Sequence, residues 1–338
     1  MPTDEPAAAA VAAPAVLPLV AAGVCGAVLP VQSRVNGVLS QQVGSLPAAT
    51  ISFGSGLVVL TLLLASPALR RSVAAVWTAL RTRRLRWWQV LGGVGGALLV
   101  ASQTYAVPLV GVTAFLVAVI GGQSVSALLV DRAGLGPGPV QRLRPGRVLA
   151  AGLAVLGVAV AATARGGGDT GVATGVALVL PVLVVVAAGG LTSVQQALNG
   201  VVTTVSRAPV ATAWVNFLTG TVTLVVIGAV VSGTGELPLR PVGPDLPWWA
   251  WTGGTMGIVF IALAAYAVTH LPVLVFALVT VTTQLAVGVG LDSLDPASRA
   301  LLGPQVLVGV LLALVASVWA ALARRHPRAA APAAAGHR

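Results

Sequence analysis

Neutral amide side chains recur at helical spacing within apolar stretches of this chain. Gln32 and Asn36 are four residues apart, as are Gln195 and Asn199, so each pair shares one face of a helix. An amide both donates and accepts hydrogen bonds, which suits the binding of a polar or zwitterionic solute. The alternative is that these pairs hold helices together, at about 0.6 kcal/mol for each contact in a membrane. The residues alone leave both interpretations open.

Two further amides, Gln123 and Gln284, lie nearer the middle of apolar stretches and are 161 residues apart. Polar side chains inside a bilayer face the interior of a helix bundle, because lipid cannot satisfy their hydrogen bonds. These two are therefore the better candidates for a central binding site. Weaker candidates are polar or aromatic residues that could serve either binding or packing, namely Gln103, Asn216, Tyr105, Tyr266 and Trp251.

Recognisable sequence signatures of catalysis or cofactor binding are missing. A single cysteine, Cys25, excludes an intramolecular disulfide and a cysteine-based metal site. There is no phosphate-binding Walker loop, and three histidines, at 270, 326 and 337, do not form a plausible metal cluster. All acidic residues fall in tails, loops or helix ends, which argues against proton coupling through a carboxylate in mid-membrane. We expect no enzyme activity and no cofactor.

The elements that carry these amides are predicted to be membrane-spanning helices. Charged residues make up 8% of the chain, whereas a soluble domain carries about 25%. The apolar runs are continuous rather than alternating, and each is about 20 residues long, which favours helices over a β-barrel. The predicted fold is an all-α integral membrane protein with ten spans, at about 15–40, 46–65, 88–107, 111–130, 147–164, 174–200, 209–231, 248–268, 272–291 and 301–323.

The arginines predict the orientation of these spans. The chain has no lysine and 19 arginines. With ten spans, fifteen arginines lie on the side of both termini, including the cluster from Arg70 to Arg86, and four lie on the other side. The positive-inside rule then places both termini in the cytoplasm. It also accounts for the net charge of +11 without a nucleic-acid partner. Arg34, within the first span, could attract an anion or extend to the interface.

The two halves of the chain resemble each other. The pattern Gln-x-x-x-Asn-Gly of residues 32–37 recurs at 195–200, and Phe-x-x-Gly of residues 53–56 recurs at 217–220. At a constant offset of 161 residues, a double tryptophan, a double glycine, a tyrosine, a glutamine and an aspartate also recur. The last of these are Asp131 and Asp292. This predicts a first repeat at 15–165 and a second at 174–323, joined by a loop at 166–173 and flanked by disordered tails at 1–14 and 324–338.

Each predicted repeat contains five helices, so the second copy enters the membrane from the opposite face. The pair Gln32 and Asn36 and the pair Gln195 and Asn199 are then expected at opposite mouths of the bundle. Inverted repeats are a common design of secondary transporters, because exchanging the two conformations of the repeat exchanges the open side.

The ordered set of these motifs resembles the YdcZ-like branch of the drug/metabolite transporter superfamily. The residues that carry the resemblance run from Gln32 and Phe53 to Trp88, Pro108 and Asp131, and the second half repeats them more loosely. In that half Thr269 stands in place of Pro108, and Thr283 in place of Gly122. The resemblance covers about residues 16–323. It implies ten helices, a central cavity and the movement, including export, of small organic solutes.

Taken together, these features favour a secondary transporter of small polar or amphipathic solutes in the inner (plasma) membrane. Its expected partners are membrane lipid and the solute, and a homodimer is left open. The alternatives are a membrane scaffold or lipid-interacting protein without transport and, less favoured, a membrane enzyme. The paired amides inside an inverted repeat favour transport, because a scaffold does not require them.

Overall fold

The computed structural model describes residues 16–163, 176–233 and 246–323, and all regular structure within these ranges is helical. The predicted tails and the loop at 166–173 lie outside the described residues. The helices are α1 (Val16–Val43), α2 (Ser45–Leu62), α3 (Pro67–Arg81), α4 (Gly92–Ala133), α5 (Pro145–Ala162), α6 (Val176–Ser206), α7 (Pro209–Gly233), α8 (Gly253–His270), α9 (Val273–Leu294), α10 (Pro296–Arg299) and α11 (Pro304–Ala323).

Eight helices in the described ranges are long and apolar enough to cross a membrane, namely α1, α2, α4, α5, α6, α7, α9 and α11. Two of the predicted spans, 88–107 and 111–130, fall mostly in the single helix α4, and most of 248–268 falls in the shorter apolar α8. The predicted span 174–200 is longer in the structure, because α6 continues to Ser206. The all-helical fold is confirmed, and the helix ends differ from the predicted ones by a few residues, but eight helices rather than ten meet this length.

The long helix α4 is broken at Gly111. This residue has φ 76° and ψ 166°, a backbone conformation that favours glycine. The break divides α4 into α4a, residues 92–110, and α4b, residues 112–133. Unbroken, 42 residues of helix would extend about 63 Å, roughly twice the hydrocarbon thickness of a bilayer.

The contacts of α1 show how the two halves are interleaved. Helices α1 and α8 run antiparallel, since the Cys25 thiol lies 3.7 Å from the Phe260 carbonyl, whereas the later Gln32 amide donates to the carbonyl of Gly253, which is earlier in α8. Helices α1 and α9 run parallel, since Thr280 lies beside Ala22 of α1 and Asp295, at the end of α9, lies beside Arg34. The first helix of one half therefore packs between two helices of the other.

Helix α6 repeats this arrangement on the first half. It packs antiparallel on α4a, where Asn199 lies at Gly92 and Leu191 at Gly95. It runs parallel to α4b, where Gly189 lies at Val119 and Ser193 at Gln123. The relation of α6 to α4a and α4b is thus the relation of α1 to α8 and α9.

Two glycine crossings join the halves near the centre. Gly254 of α8 packs on the backbone of α2 at Ser52, and Gly93 of α4a packs on the backbone of α7 at Asn216, each so closely that an added methyl group would overlap a carbonyl oxygen. Between them the rings of Phe53 and Phe217 lie 5.1 Å apart. Small residues allow helices to approach in this way where lipid supplies no hydrophobic drive.

Helix α3 is an element that the sequence analysis treated as part of a loop. It is amphipathic, with Arg70 and Arg71 exposed and Val73 and Val76 buried, and it packs on α6 and α7. It lies at the end of the bundle where α2, α4b and α6 finish and α5 begins. We call this the arginine-rich end, since Arg81, Arg132, Arg144 and Arg207 are also there. The opposite end carries Gly44, Gly111 and Asp295.

Candidate solute-binding cavity

A cavity of about 420 Å³ lies in the half of the bundle nearer the arginine-rich end. Its volume falls in the range of about 300–1,000 Å³ that is usual for small-molecule sites. The walls come from the later part of α4b, the start of α5, the middle of α6, the first half of α9 and the last turns of α11. All five helices have apolar faces here, so a few polar side chains stand out. These are Gln123, Ser124, Arg147, Ser193, Gln196, Gln284 and Ser317.

The two amides expected at the centre, Gln123 and Gln284, lie on the wall of this one cavity. The amide of Gln123 donates to the Thr192 hydroxyl at 2.8 Å, and its backbone carbonyl accepts from Ser193 at 3.0 Å. Gln284 is 8% exposed, and its side-chain amide has no hydrogen-bond partner among the described residues. A solute in the cavity therefore meets one amide that is already held and one that is free.

Gln196 is a lining residue that the sequence analysis missed. The repeat alignment matched Gln195 with Gln32 and passed over the next residue. One step along a helix turns the side chain by about 100°, so Gln195 packs against Gly96 of α4a while Gln196 points into the cavity. Its amide is also free of protein partners in the part of the chain described.

Arg147 is the one charged residue among those that line this cavity, and the sequence analysis counted it only among the fifteen arginines on the side of the termini. It lies in the first turn of α5 and is 6% exposed. Its guanidinium donates to the carboxylate of Asp131, at the end of α4b, and to the Gln141 side chain at 3.1 Å. A buried cation needs such partners, because leaving it unpaired would be costly.

The amides of α1 belong instead to the packing of α1 on its neighbours. The Gln32 side chain donates to the Gly253 carbonyl at 2.7 Å. Asn36 donates to Gln103 at 3.0 Å, and Gln103 in turn donates to the Ser33 hydroxyl at 3.0 Å, all within a fully buried cluster. These residues lie away from the cavity.

The equivalent amides of the second half also contact the backbone of a neighbouring helix. Asn199 and Asn216 both lie at Gly92, where α4a begins, and Gln195 lies at Gly96. None of the three is on the cavity wall. These three residues lie near the start of α4a, at the arginine-rich end of the bundle. Gln32 and Asn36 lie beside the start of α8, at the opposite end of the bundle, so the two sets are separated along it.

The aromatic candidates do not reach the cavity. Tyr105 and Trp251 are exposed on the outside of the protein, where a membrane protein meets lipid or the interface. Tyr266 stacks on His270, with ring centroids 4.4 Å apart. Arg34, which the sequence could not place, forms an ion pair with Asp295 at 3.1 Å and donates to the Ser298 hydroxyl at 3.2 Å. It joins α1 to the end of α9.

At the opposite end, Asp292 holds the break in α4. It is 2% exposed, and its carboxylate accepts hydrogen bonds from the backbone amides of Val112 at 3.0 Å and Thr113 at 2.7 Å. These are the first amides of α4b, where the helix dipole favours a negative charge. Asp292 is thus at a helix end, as predicted, but it is buried in protein and connects α9 to α4b.

No group of three or more His, Cys, Asp or Glu side chains suited to a metal ion occurs within 16–163, 176–233 and 246–323. The cavity therefore offers hydrogen-bonding amides and hydroxyls, one paired cation and a mainly apolar wall.

Comparison with known protein families gives a match over both halves of the chain. The model of a family described as "Putative inner membrane exporter, YdcZ" matches residues 17–160 and again residues 180–320. The two matches divide the chain where the internal repeat divides it. No curated protein matches the chain.

Proposed function

This chain belongs to the YdcZ family of drug/metabolite transporters, and on that premise we propose that it moves small polar or amphipathic organic solutes across the inner membrane by alternating access. The family model describes exporters in general. The solute class and the mechanism are our proposals from the cavity and the repeat.

The arrangement of helices supports ten crossings in two inverted five-helix repeats. α4a runs parallel to α1, since Asn36 meets Gln103 and Gly37 meets Val107. α4b runs antiparallel to α9, which is itself parallel to α1, because Asp292 meets residues 112 and 113 while Leu116 meets Gly288. The chain thus reverses at Gly111, and α4 provides two crossings. With α8 included, every helix of the second repeat runs opposite to its counterpart.

The observation that carries the solute class is the free amide of Gln284 on the wall of the same cavity as Gln123. The lining is otherwise mainly aliphatic and contains no aromatic residue among those that form it. Such a site suits a solute with an aliphatic part and a group that both donates and accepts hydrogen bonds. The arginines at the cavity end support an opening toward the cytoplasm, with both termini on that side.

Flux into proteoliposomes tests this function. Purified protein is screened with a panel of radiolabelled polar and amphipathic metabolites, and the best solute is followed in Gln284→Leu and Gln123→Leu. We expect each variant to lose about five- to tenfold in flux, because one hydrogen bond to the solute contributes about 1 kcal/mol. Gln41→Leu, at an exposed position at the far end of α1, is the matched control and should transport normally.

If no panel solute is moved and none raises the melting temperature, the proposal fails and a membrane scaffold becomes the better interpretation. If solute is moved but both cavity variants transport normally at wild-type yield, the cavity is not the solute site.

A further inference from the structure

Equivalent aspartates of the two repeats have different partners in this structure. Asp292 accepts hydrogen bonds from the first two amides of α4b. The offset of 161 residues makes Asp131 its counterpart, and it makes the backbone amides of Val273 and Leu274, at the start of α9, the counterparts of those it should bind. Instead, Asp131 is paired with Arg147.

The start of α9 is correspondingly uncapped. Its N-cap residue, Pro272, makes no side-chain capping hydrogen bond to a described residue, and Leu274 lies on the cavity wall. Where Asp292 joins α9 to α4b, the bundle is closed and its residues form a dense apolar core. At the other end, where Asp131 does not bind the start of α9, the bundle contains the cavity. The end of the bundle at which an aspartate binds the start of a helix is thus the end that is closed.

Arg147 is the partner of Asp131 in this structure. Its guanidinium is almost fully buried, so it cannot release Asp131 without receiving another anion. The cavity on which Arg147 lies is the space from which such an anion would come. A carboxylate fits the planar fork of an arginine better than any neutral group.

We propose that the transported solute carries a carboxylate or similar small anionic group, that this group binds Arg147 in place of Asp131, and that the released Asp131 caps the start of α9 and closes the arginine-rich end. This rests on the proposed transport function and names its substrate class. Binding and closure are coupled, because the solute shifts the equilibrium only by favouring the state in which Asp131 is free. In the opposite state, Asp292 leaves α4b and the other end opens.

The test compares two positions that the repeat makes equivalent. Leu278 lies on the cavity wall, and its counterpart Val117 is 0% exposed in the closed half. Each is changed to cysteine in a Cys25→Ala background, and the rate of reaction with a water-soluble thiol reagent is measured in detergent. The probes are three matched acid and amide pairs: acetate and acetamide, butyrate and butyramide, and benzoate and benzamide.

We expect at least one acid to slow the labelling of Leu278→Cys and to accelerate that of Val117→Cys, each severalfold, while its amide does neither. Acceleration at Val117 cannot come from a probe that merely fills the cavity. Arg147→Gln should produce the same two changes without any probe, and acids should then add nothing. Arg147→Lys, which keeps the charge, should retain part of the response to acids.

Asp131→Asn separates binding from closure. It leaves Arg147 without its carboxylate, so the active acid should protect Leu278→Cys at severalfold lower concentration, yet Val117→Cys should no longer accelerate. The inference is overturned if every acid acts like its amide, or if Arg147→Gln changes neither labelling rate in protein that remains monodisperse. Normal flux of a neutral panel solute with these negative results would reject the anion exchange while leaving transport intact.

Discussion

Gln195 and Gln196 are adjacent in the chain, yet one packs on α4a and the other faces the cavity. The sequence could identify the intramembrane amides but not divide them, because a helix has no solvent-facing side by which its polar stripe is recognised in a membrane. It favoured Gln123 and Gln284 by their position in mid-helix, and both lie on the cavity wall. Arg147 was missed because its burial follows from the pairing with Asp131, which no local pattern reveals.

The ion pair between Arg34 and Asp295 predicts a pH dependence of stability at the end opposite the cavity. The Ser298 hydroxyl donates to Asp295 and lowers its pKa from 3.8, and the Ser298 amide and the Arg34 charge lower it further, while burial opposes them. Because the folded-state pKa is lowered, the carboxylate contributes stability above pH 3.8 that is lost as the pH falls through the folded value.

We therefore expect the melting temperature of the detergent-solubilised protein to drop below about pH 4 by more than that of Asp295→Asn. Ser298→Ala should fall between the two, since it removes the largest cause of the lowered pKa and leaves the others. Equal drops in the wild-type protein and Asp295→Asn would show that this carboxylate does not contribute.

Among the elements, the apolar spans were predictable and their junctions were not. Continuous apolar runs located each long helix, because about 20 such residues have few other stable environments. The turn at Gly111 depends on the carboxylate of Asp292, 181 residues away, so local sequence showed only a small gap between two spans. Helix α3 was missed because its arginines dominated the interpretation of that stretch, although its valines are spaced for one buried face.

The crossing of α2 and α8 predicts a strong effect of one methyl group. In Gly254→Ala the added carbon would overlap the Ser52 carbonyl, whereas in Gly54→Ala it would meet nothing within 4 Å. We expect Gly254→Ala to cost about 1–3 kcal/mol through overpacking, seen as a lower melting temperature and a lower yield. Gly54→Ala should be neutral or slightly stabilising, because alanine favours helix. Similar melting temperatures for the two variants would contradict the close crossing.

For the whole molecule, the repeat was visible in the sequence because polar, glycine and aromatic residues recur at one spacing. The family match to both halves confirms the resemblance. The sequence could not show that the two halves adopt different conformations in the same structure. Two copies of one pattern predict equal conformations, whereas in the structure Asp131 pairs with Arg147 and Asp292 binds the backbone amides of α4b.

The ten-crossing topology predicts opposite labelling of two exposed threonines. Thr82 follows α3 at the arginine-rich end, and Thr163 follows α5 at the other. In a Cys25→Ala background, we expect a membrane-impermeant thiol reagent to label Thr163→Cys in intact cells, after removal of any outer membrane, and Thr82→Cys only after permeabilisation. Reversed labelling would overturn the orientation, and labelling of both from one side would overturn the double crossing of α4.

The polar contacts at the closed end have no full counterparts in the other repeat. Arg34 and Gln103 correspond to Ala197 and Ala264, so the ion pair with Asp295 and the cluster around Asn36 can form only at that end. Two states of an inverted repeat are equal in energy only if the repeats are identical. If the protein alternates between two such states, as we propose, the unequal contacts favour the state in which the arginine-rich end is open. If that end faces the cytoplasm, we expect the empty protein to be accessible to its solute from inside the cell, which suits an exporter.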